Sequence, residues 1–253
     1  MKKMTYSALI IVFLILGDVF HNKANAQYGT PFYPYQAAYN NAMFLTTKNA
    51  IEKGMHSSSS GTASKSNTRA TETNAAGLAD LNFTSSAQTH EKVVQAIAKT
   101  LARGDDSKIN PNTDMLVKGD LLGKFDNLLR QYGFDSHNLA DVFTAYIILS
   151  WQAATGGDAS KYPNGIQVFR KTIHASFSNN DNTRNFTNEQ KQETSETISY
   201  IATLITLGHQ DLKRKGDANV LLQFHQNIRN TVMASTGIDV TKYTLTQAGF
   251  YLK

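Results

Sequence analysis

His137 and Asp141 are four residues apart at the start of a predicted helix, so both side chains could face one point. An imidazole and a carboxylate in this arrangement could supply two ligands to a metal ion. A third ligand at a recognisable spacing is missing, and the sequence has no H-E-x-x-H motif. The positive end of the helix dipole favours an aspartate at this position without any metal. We therefore predict neither a metal site nor a cofactor.

Glu189, Glu193 and Glu196 form the main concentration of glutamates and fall on one side of a predicted helix. A glycosidase needs two carboxylates at a defined separation, and one of them must have a raised pKa. These glutamates lie among polar residues in the first turns of the helix, where acidic side chains complement the helix dipole. We expect a solvated acidic face, and glycan hydrolysis through carboxylates is the alternative.

The sequence contains no motif typical of nucleophilic catalysis. Ser150 lies within a predicted helix and outside any G-x-S-x-G turn. His174, His209 and His225 have no acidic partner within reach along the sequence, so we interpret them as surface or satisfied core histidines. The pair Gly156-Gly157 is not followed by G-K-[ST], which argues against a phosphate-binding loop of that type.

The candidate binding residues surround the single tryptophan of the chain: Trp151, Gly156, Gly157 and Tyr162. A tryptophan just before a flexible corner could form the floor of a binding groove. A tryptophan at helical spacing is also a common core residue, and this second interpretation stays open.

Charge and cysteine usage exclude several classes of function. The chain has 253 residues and a formal charge of +5. Nucleic-acid binding usually needs clustered basic residues. The short cluster Lys213-Arg214-Lys215 fits the negative end of a helix, so we predict no nucleic-acid partner. The absence of cysteine excludes disulfides, thiolate catalysis and a lipid-modified N-terminal cysteine.

The first residues have the pattern of an export signal. Lys2 and Lys3 precede an apolar run over residues 8–16, and Ala24-Asn25-Ala26 follows as a cleavage site. The apolar run is under half of the about 20 residues that a transmembrane helix needs. We predict a signal peptide over residues 1–26, cleaved between Ala26 and Gln27, and a mature protein without a transmembrane anchor. The style of the signal indicates a bacterium, and hence the periplasm or the medium.

The mature chain divides into a tail and a domain. Residues 27–80 are predicted as an extended and low-complexity tail, because the Ser-, Thr- and Asn-rich stretch within them buries too little apolar surface to offset its ordering entropy. Residues 81–253 are predicted as one all-α globular domain, a compact array of about six helices.

Apolar periodicity and capping residues place the predicted helices. A turn at Asn110-Pro111-Asn112 precedes one helix from Thr113 to Tyr132, Ser136 caps the next, and Thr187 with Gln190 forms a capping box. The helix that starts near Ser136 is apolar around nearly its whole circumference, so we expect it to be the most buried. Residues 238–253 could form a short strand or a docked irregular segment.

Several short motifs in the predicted domain carry a resemblance to a known family. They are Leu81-Asn82-Phe83-Thr84-Ser85, Tyr132-Gly133-Phe134-Asp135, Asn138-Leu139-Ala140-Asp141, Ala145-Tyr146, Ser150-Trp151 and Leu245-Thr246-Gln247-Ala248-Gly249-Phe250. With these motifs the chain resembles a family of uncharacterised secreted bacterial proteins, defined only as a domain of unknown function. The resemblance implies an exported helical domain and supplies no activity.

These observations favour an exported, non-enzymatic binding or interaction protein of the bacterial envelope or secretome. Its partner would be a protein or a component of the cell envelope. The alternative is an envelope hydrolase that acts on glycan through carboxylates.

Overall fold

The computed structural model describes residues 80–253, and within residues 181 and 182 only the backbone. The predicted signal peptide, its cleavage site and the predicted tail through residue 79 lie outside the described residues. The elements in chain order are α1 Ala87–Ala102, α2 Ile109–Lys118, α3 Leu121–Gln131, α4 Leu139–Thr155, α5 Pro163–Ser178, α6 Asp181–Arg184, α7 Asn188–Lys215, α8 Ala218–Thr236, β1 Tyr243–Thr246 and β2 Gly249–Leu252. The described part is mostly helical, which confirms the all-α prediction.

Helix α4 is the centre of the domain. It packs against α5, α7 and α8, and 14 of its 17 residues are buried, the largest buried share among the helices of residues 80–253. The expectation that this segment is the most buried helix is therefore confirmed. The predicted N-cap was wrong, because Asn138 accepts the hydrogen bonds from the N–H groups of Ala140 and Asp141. The Ser136 hydroxyl instead donates to Asp126.

The segment predicted as one helix from Thr113 to Tyr132 is two helices. They meet at Gly119 and at Asp120, whose φ of 49° is left-handed and ends the regular helix. The predicted turn at Asn110-Pro111-Asn112 is also wrong, since all three residues lie in the first turn of α2. Proline is tolerated there because the first N–H groups of a helix have no partner within the helix.

Three short 3₁₀ turns share one sequence pattern, Asp-x-Ser/Thr-Lys, which our sequence reading missed. They begin at Asp105, Asp158 and Asp239. In each turn, one carboxylate oxygen accepts hydrogen bonds from both the N–H and the hydroxyl of the residue two positions later. An aspartate that bonds its own backbone two residues on stabilises a tight turn, so the pattern explains the three turns physically.

Residues 243–252 form a β-hairpin. Of the two alternatives predicted for residues 238–253, a short strand or a docked irregular segment, the structure shows strands. β1 and β2 pair antiparallel, with Leu245 opposite Phe250. Phe250 contacts the rings of Trp151 and Phe169 edge-on, so the hairpin covers the end of the core between α4 and α5. Gly165 permits the close approach of α5 to the hairpin, because a Cβ at this position would overlap the carbonyl group of Thr246 in β1.

Candidate functional site

Chemically capable side chains surround the buried carboxylate of Asp141. Arg170 on α5 donates from Nε and Nη2 to the two carboxylate oxygens, both at 2.6 Å. His174 Nε2 lies 2.6 Å from Oδ1, and the N–H of Asp135 donates to Oδ2 at 2.8 Å. We call Asp141, Arg170 and His174 the Asp141 cluster.

Charge and exposure differ sharply within the Asp141 cluster. The Asp141 side chain is 1% exposed, whereas those of Arg170 and His174 are 27% and 33% exposed. Burial alone raises the pKa of Asp141, but the hydrogen bonds from His174 and Arg170 outweigh it and hold the pKa below its ordinary value. The carboxylate is therefore ionised at neutral pH and stabilised by its neighbours.

The Asp141 cluster fixes the orientation of the His174 imidazole. With Nε2 held by the carboxylate, Nδ1 is the ring nitrogen that remains to accept or donate a proton. A histidine held by a carboxylate is a component of many hydrolytic sites, in which it acts as a base toward a nucleophile. The guanidinium of Arg170 lies 4.8 Å above the Phe134 ring, so the same group also ties the α3–α4 connection to α5.

The expectation that His137 and Asp141 lie on the first turns of one helix and face one point is wrong. Helix α4 begins at Leu139, so His137 precedes the helix and does not share a helical face with Asp141. Its Nδ1 is 3.6 Å from Asp135, and both of these side chains are exposed. Within residues 80–253, no group of three His, Asp or Glu side chains is arranged to hold a metal ion.

The glutamates at the start of α7 do not form the solvated face that we expected. Only Glu189 is well exposed, at 60%, and the Glu193 side chain is 16% exposed and paired with Lys92 on α1. Glu196 is buried, accepts a hydrogen bond from Gln192 at 2.7 Å and lies 2.8 Å from His90 Nδ1. The reason is that this end of α7 packs against α1, so two of the three carboxylates face a helix instead of water.

The predicted binding residues lie at one corner of the domain. Trp151 is buried, and its Nε1 donates to the carbonyl of Tyr243 at 3.0 Å. Gly157 rests on the indole ring, since a Cβ there would overlap it. Gly156 ends α4 in the left-handed conformation, and Tyr162 is partly buried before α5. Trp151 therefore lies under Gly157 at this corner, and Gly156 and Tyr162 belong to the same connection between α4 and α5. The binding role of the four residues stays a prediction.

Two other histidines lie where α7 meets α8. The ring centroids of His209 and His225 are 5.5 Å apart, and His209 stacks on Phe224 at 6.4 Å. Within residues 80–253, His225 Nε2 is buried without a hydrogen-bond partner. His225, interpreted as a surface or satisfied core histidine, is therefore partly buried with one ring nitrogen unsatisfied.

A family of unknown function, DUF6683, matches residues 5–253 of the chain. The chain belongs to this family. No curated protein and no solved structure matches it. The membership agrees with the resemblance to a domain of unknown function.

The Asp141 cluster of this DUF6683 member was not predicted from the sequence. His174 was considered without an acid because Asp141 is 33 residues away, on another helix. The signal available in the sequence was the spacing of Arg170 and His174, which are four residues apart and therefore share one face of α5.

None of the helices in residues 80–253 has the length and apolarity that crossing a bilayer requires.

Proposed function

We propose that this protein is an exported, non-enzymatic binding protein of the bacterial envelope or secretome. Export is supported by the basic residues, apolar run and A-x-A site that precede Gln27. Mass spectrometry of the protein recovered from the periplasm or medium should find Gln27 as its first residue. Recovery of intact Met1 in a membrane fraction would contradict the proposal.

The proposed binding surface is the corner formed by residues 156–162, which we call the Trp151 corner. Gly156, Asp158 and Lys161 are exposed on it. Burial raises the pKa of Tyr132, and the negative charge of Asp158 raises it further. The corner carries Tyr162 and both signs of charge, which suits a polar partner, such as an envelope protein or glycan.

The observation that carries this proposal is that the Trp151 corner is exposed and yet held from several sides. Gly157 rests on Trp151, and Asp158 accepts two hydrogen bonds from Ser160. The carbonyl of Lys161 accepts a hydrogen bond from Gln247 in the hairpin turn, at 2.9 Å. A surface that is ordered before binding loses less conformational entropy when a partner docks.

A second observation supports binding over catalysis by carboxylates. The four buried acids of residues 80–253 are Asp141, Glu196, Asp211 and Asp239. Each is engaged by basic or amide side chains of the domain itself. A glycosidase needs a carboxyl with a raised pKa as its general acid, and the pKa of Asp141 is lowered instead.

The second candidate function is the envelope hydrolase. It is favoured by one observation, the partly exposed imidazole of His174 held by a buried carboxylate. This candidate requires a nucleophile or water beside His174, whereas the binding proposal requires only the surface of the Trp151 corner.

Sedimentation of the mature protein with isolated cell envelopes separates the two candidates. The binding proposal predicts saturable retention, no release of soluble glycan fragments and unchanged retention of a His174→Ala variant. Fragment release that stops in His174→Ala would establish the hydrolase. Retention that rises linearly without saturation would contradict specific binding.

A further inference from the structure

The contact between α7 and α8 contains two histidines that have no acidic partner within residues 80–253. His209 and His225 face each other at a ring-centroid distance of 5.5 Å and an interplanar angle of 65°. His209 is also stacked on Phe224, which is buried. The Nε2 atom of His225 is shielded from solvent and has no hydrogen-bond partner among the described residues.

Within residues 80–253, the carboxylates nearest this pair are engaged by other cations, including Asp158, which interacts with Lys161 and Lys213. On α7, Lys213 is close enough to disfavour a positive charge on His209. Asp211, two residues from His209, is engaged by Arg214 and Lys215. On α8, the remaining charged residue is Arg229, which pairs with Asp239 beyond the end of the helix.

The third helix at this contact is equally unable to neutralise the pair. Helix α4 packs against both α7 and α8. Its sequence contains a single charged residue, Asp141, at its first turn, and this carboxylate is bound by Arg170 and His174. A proton added to either His209 or His225 therefore finds no buried carboxylate to offset it within residues 80–253.

We propose that His209 and His225 form an acid-sensitive switch that loosens α8 from α7 when the pH falls. At neutral pH the two uncharged rings pack as part of the interface. Protonation places two cations next to each other and beside Lys213. In the cationic ring the buried Nε2 of His225 must carry a proton, for which the described residues supply no acceptor. Separation of the helices exposes both rings to water and removes these costs.

The direction of the pKa shifts agrees with this mechanism. Burial lowers the pKa of both histidines, and the neighbouring His225 and Lys213 lower that of His209 further. A histidine exposed by opening binds its proton near its ordinary pKa of about 6.5, above that in the closed state. The open state therefore binds more protons, and the interface loses stability as the pH falls through about 6.5 toward the lowered values.

Hydrogen exchange of the mature protein, read by mass spectrometry, tests the switch. After correction for the intrinsic pH dependence of exchange, peptides from α8 should open about tenfold more often at about pH 5 than at about pH 7.5. Peptides from α2, which contains no histidine, should show no such change. An α8 response equal to that of α2 would overturn the proposal.

Two variants show whether the histidine pair causes the response. His225→Phe keeps a ring in the interface and removes the titrating group, so it should abolish the acid response of α8. His137→Gln is the control, because His137 is an exposed histidine outside this contact. An acid response that persists in His225→Phe would refute the mechanism.

An NMR titration of the unmodified protein decides the same question if His225→Phe does not fold. The switch requires both imidazoles to titrate below the ordinary histidine pKa of about 6.5, and α8 amide signals to shift or broaden over the same pH range. Titration of His209 and His225 at or above about 6.5 would contradict the proposal.

Discussion

His174 Nε2 lies 2.6 Å from Oδ1 of Asp141, although the two residues are 33 positions apart in the chain. Together with Arg170, this contact joins the start of α4 to the middle of α5. The N–H of Asp135 donates to the same carboxylate, so the α3–α4 connection is also attached to Asp141. A single buried charge thus holds three segments, and it would be uncompensated if its partners were removed.

Removal of Arg170 tests how much the Asp141 cluster contributes to the stability of the domain. Arg170→Ala takes both guanidinium hydrogen bonds from a carboxylate that is 1% exposed, so we expect a loss of about 3 kcal/mol in the free energy of unfolding. Arg130→Ala is the control, because Arg130 pairs with Asp126 at the surface and should cost less than about 1 kcal/mol. Equal effects in denaturant titrations would show that Asp141 does not depend on Arg170.

The core of α4 predicts a second difference in stability. Phe143 is buried, with its ring 5.2 Å from that of Phe177, so Phe143→Ala should cost about 3 to 5 kcal/mol through lost transfer energy and a cavity. Leu222→Ala on α8 should change stability by less than about 0.5 kcal/mol, since Leu222 is 57% exposed. Thermal unfolding measures both. A small effect of Phe143→Ala would contradict the central position of α4.

The glutamates of α7 should differ from one another in stability effects. Glu196→Ala leaves His90 and Gln192 without their carboxylate partner in a buried contact, which should cost about 1 to 3 kcal/mol. Glu189→Ala should cost less than about 0.5 kcal/mol, because its side chain is exposed. Chemical unfolding of the two variants compares them directly. Similar small values for both would restore the solvated face that the sequence suggested.

The single tryptophan reports on the packing of the Trp151 corner. Gly157→Ala places a methyl group against the indole, so it should destabilise by about 1 to 3 kcal/mol and change the Trp151 emission spectrum. Gly156→Ala should also destabilise, by about 1 to 2 kcal/mol, because Gly156 has a φ of 71°. Its Cβ meets no neighbouring atom, so the emission spectrum should stay unchanged. Identical spectra for the two variants would rule out the Gly157–Trp151 contact.

Local signals in the sequence predicted the helical class and much of the placement of helices. The capping box at Thr187 and Gln190 is present, with both reciprocal hydrogen bonds. The buried character of α4 followed from apolar residues around its whole circumference. These features depend on residues within a few turns of each other, which a sequence pattern reports directly.

The errors arose where distant segments meet or where one residue has several structural roles. Asp141 looked like a first-turn acid, but its partners come from α5. Glu196 was predicted to be solvated, but α1 packs over it and His90 contacts its carboxylate. This could not be predicted because periodicity along one helix does not reveal which other helix covers its polar side. The break at Asp120 was missed because an aspartate in the left-handed conformation leaves the apolar pattern of α2 and α3 unchanged.

Two matched turns of this chain allow the central claim, binding through the Trp151 corner, to be tested with one pair of variants. Lys161 and Lys108 end Asp-x-Ser-Lys turns of the same construction, and their side chains are 69% and 63% exposed. Their main difference is location, since only Lys161 lies on the corner. The measurement is the affinity of Lys161→Glu and Lys108→Glu for isolated envelopes, by sedimentation at a series of protein concentrations. We predict that Lys161→Glu binds about tenfold more weakly or worse, and that Lys108→Glu binds as the unmodified protein does. Equal affinities of the two variants would contradict the assignment of binding to the Trp151 corner.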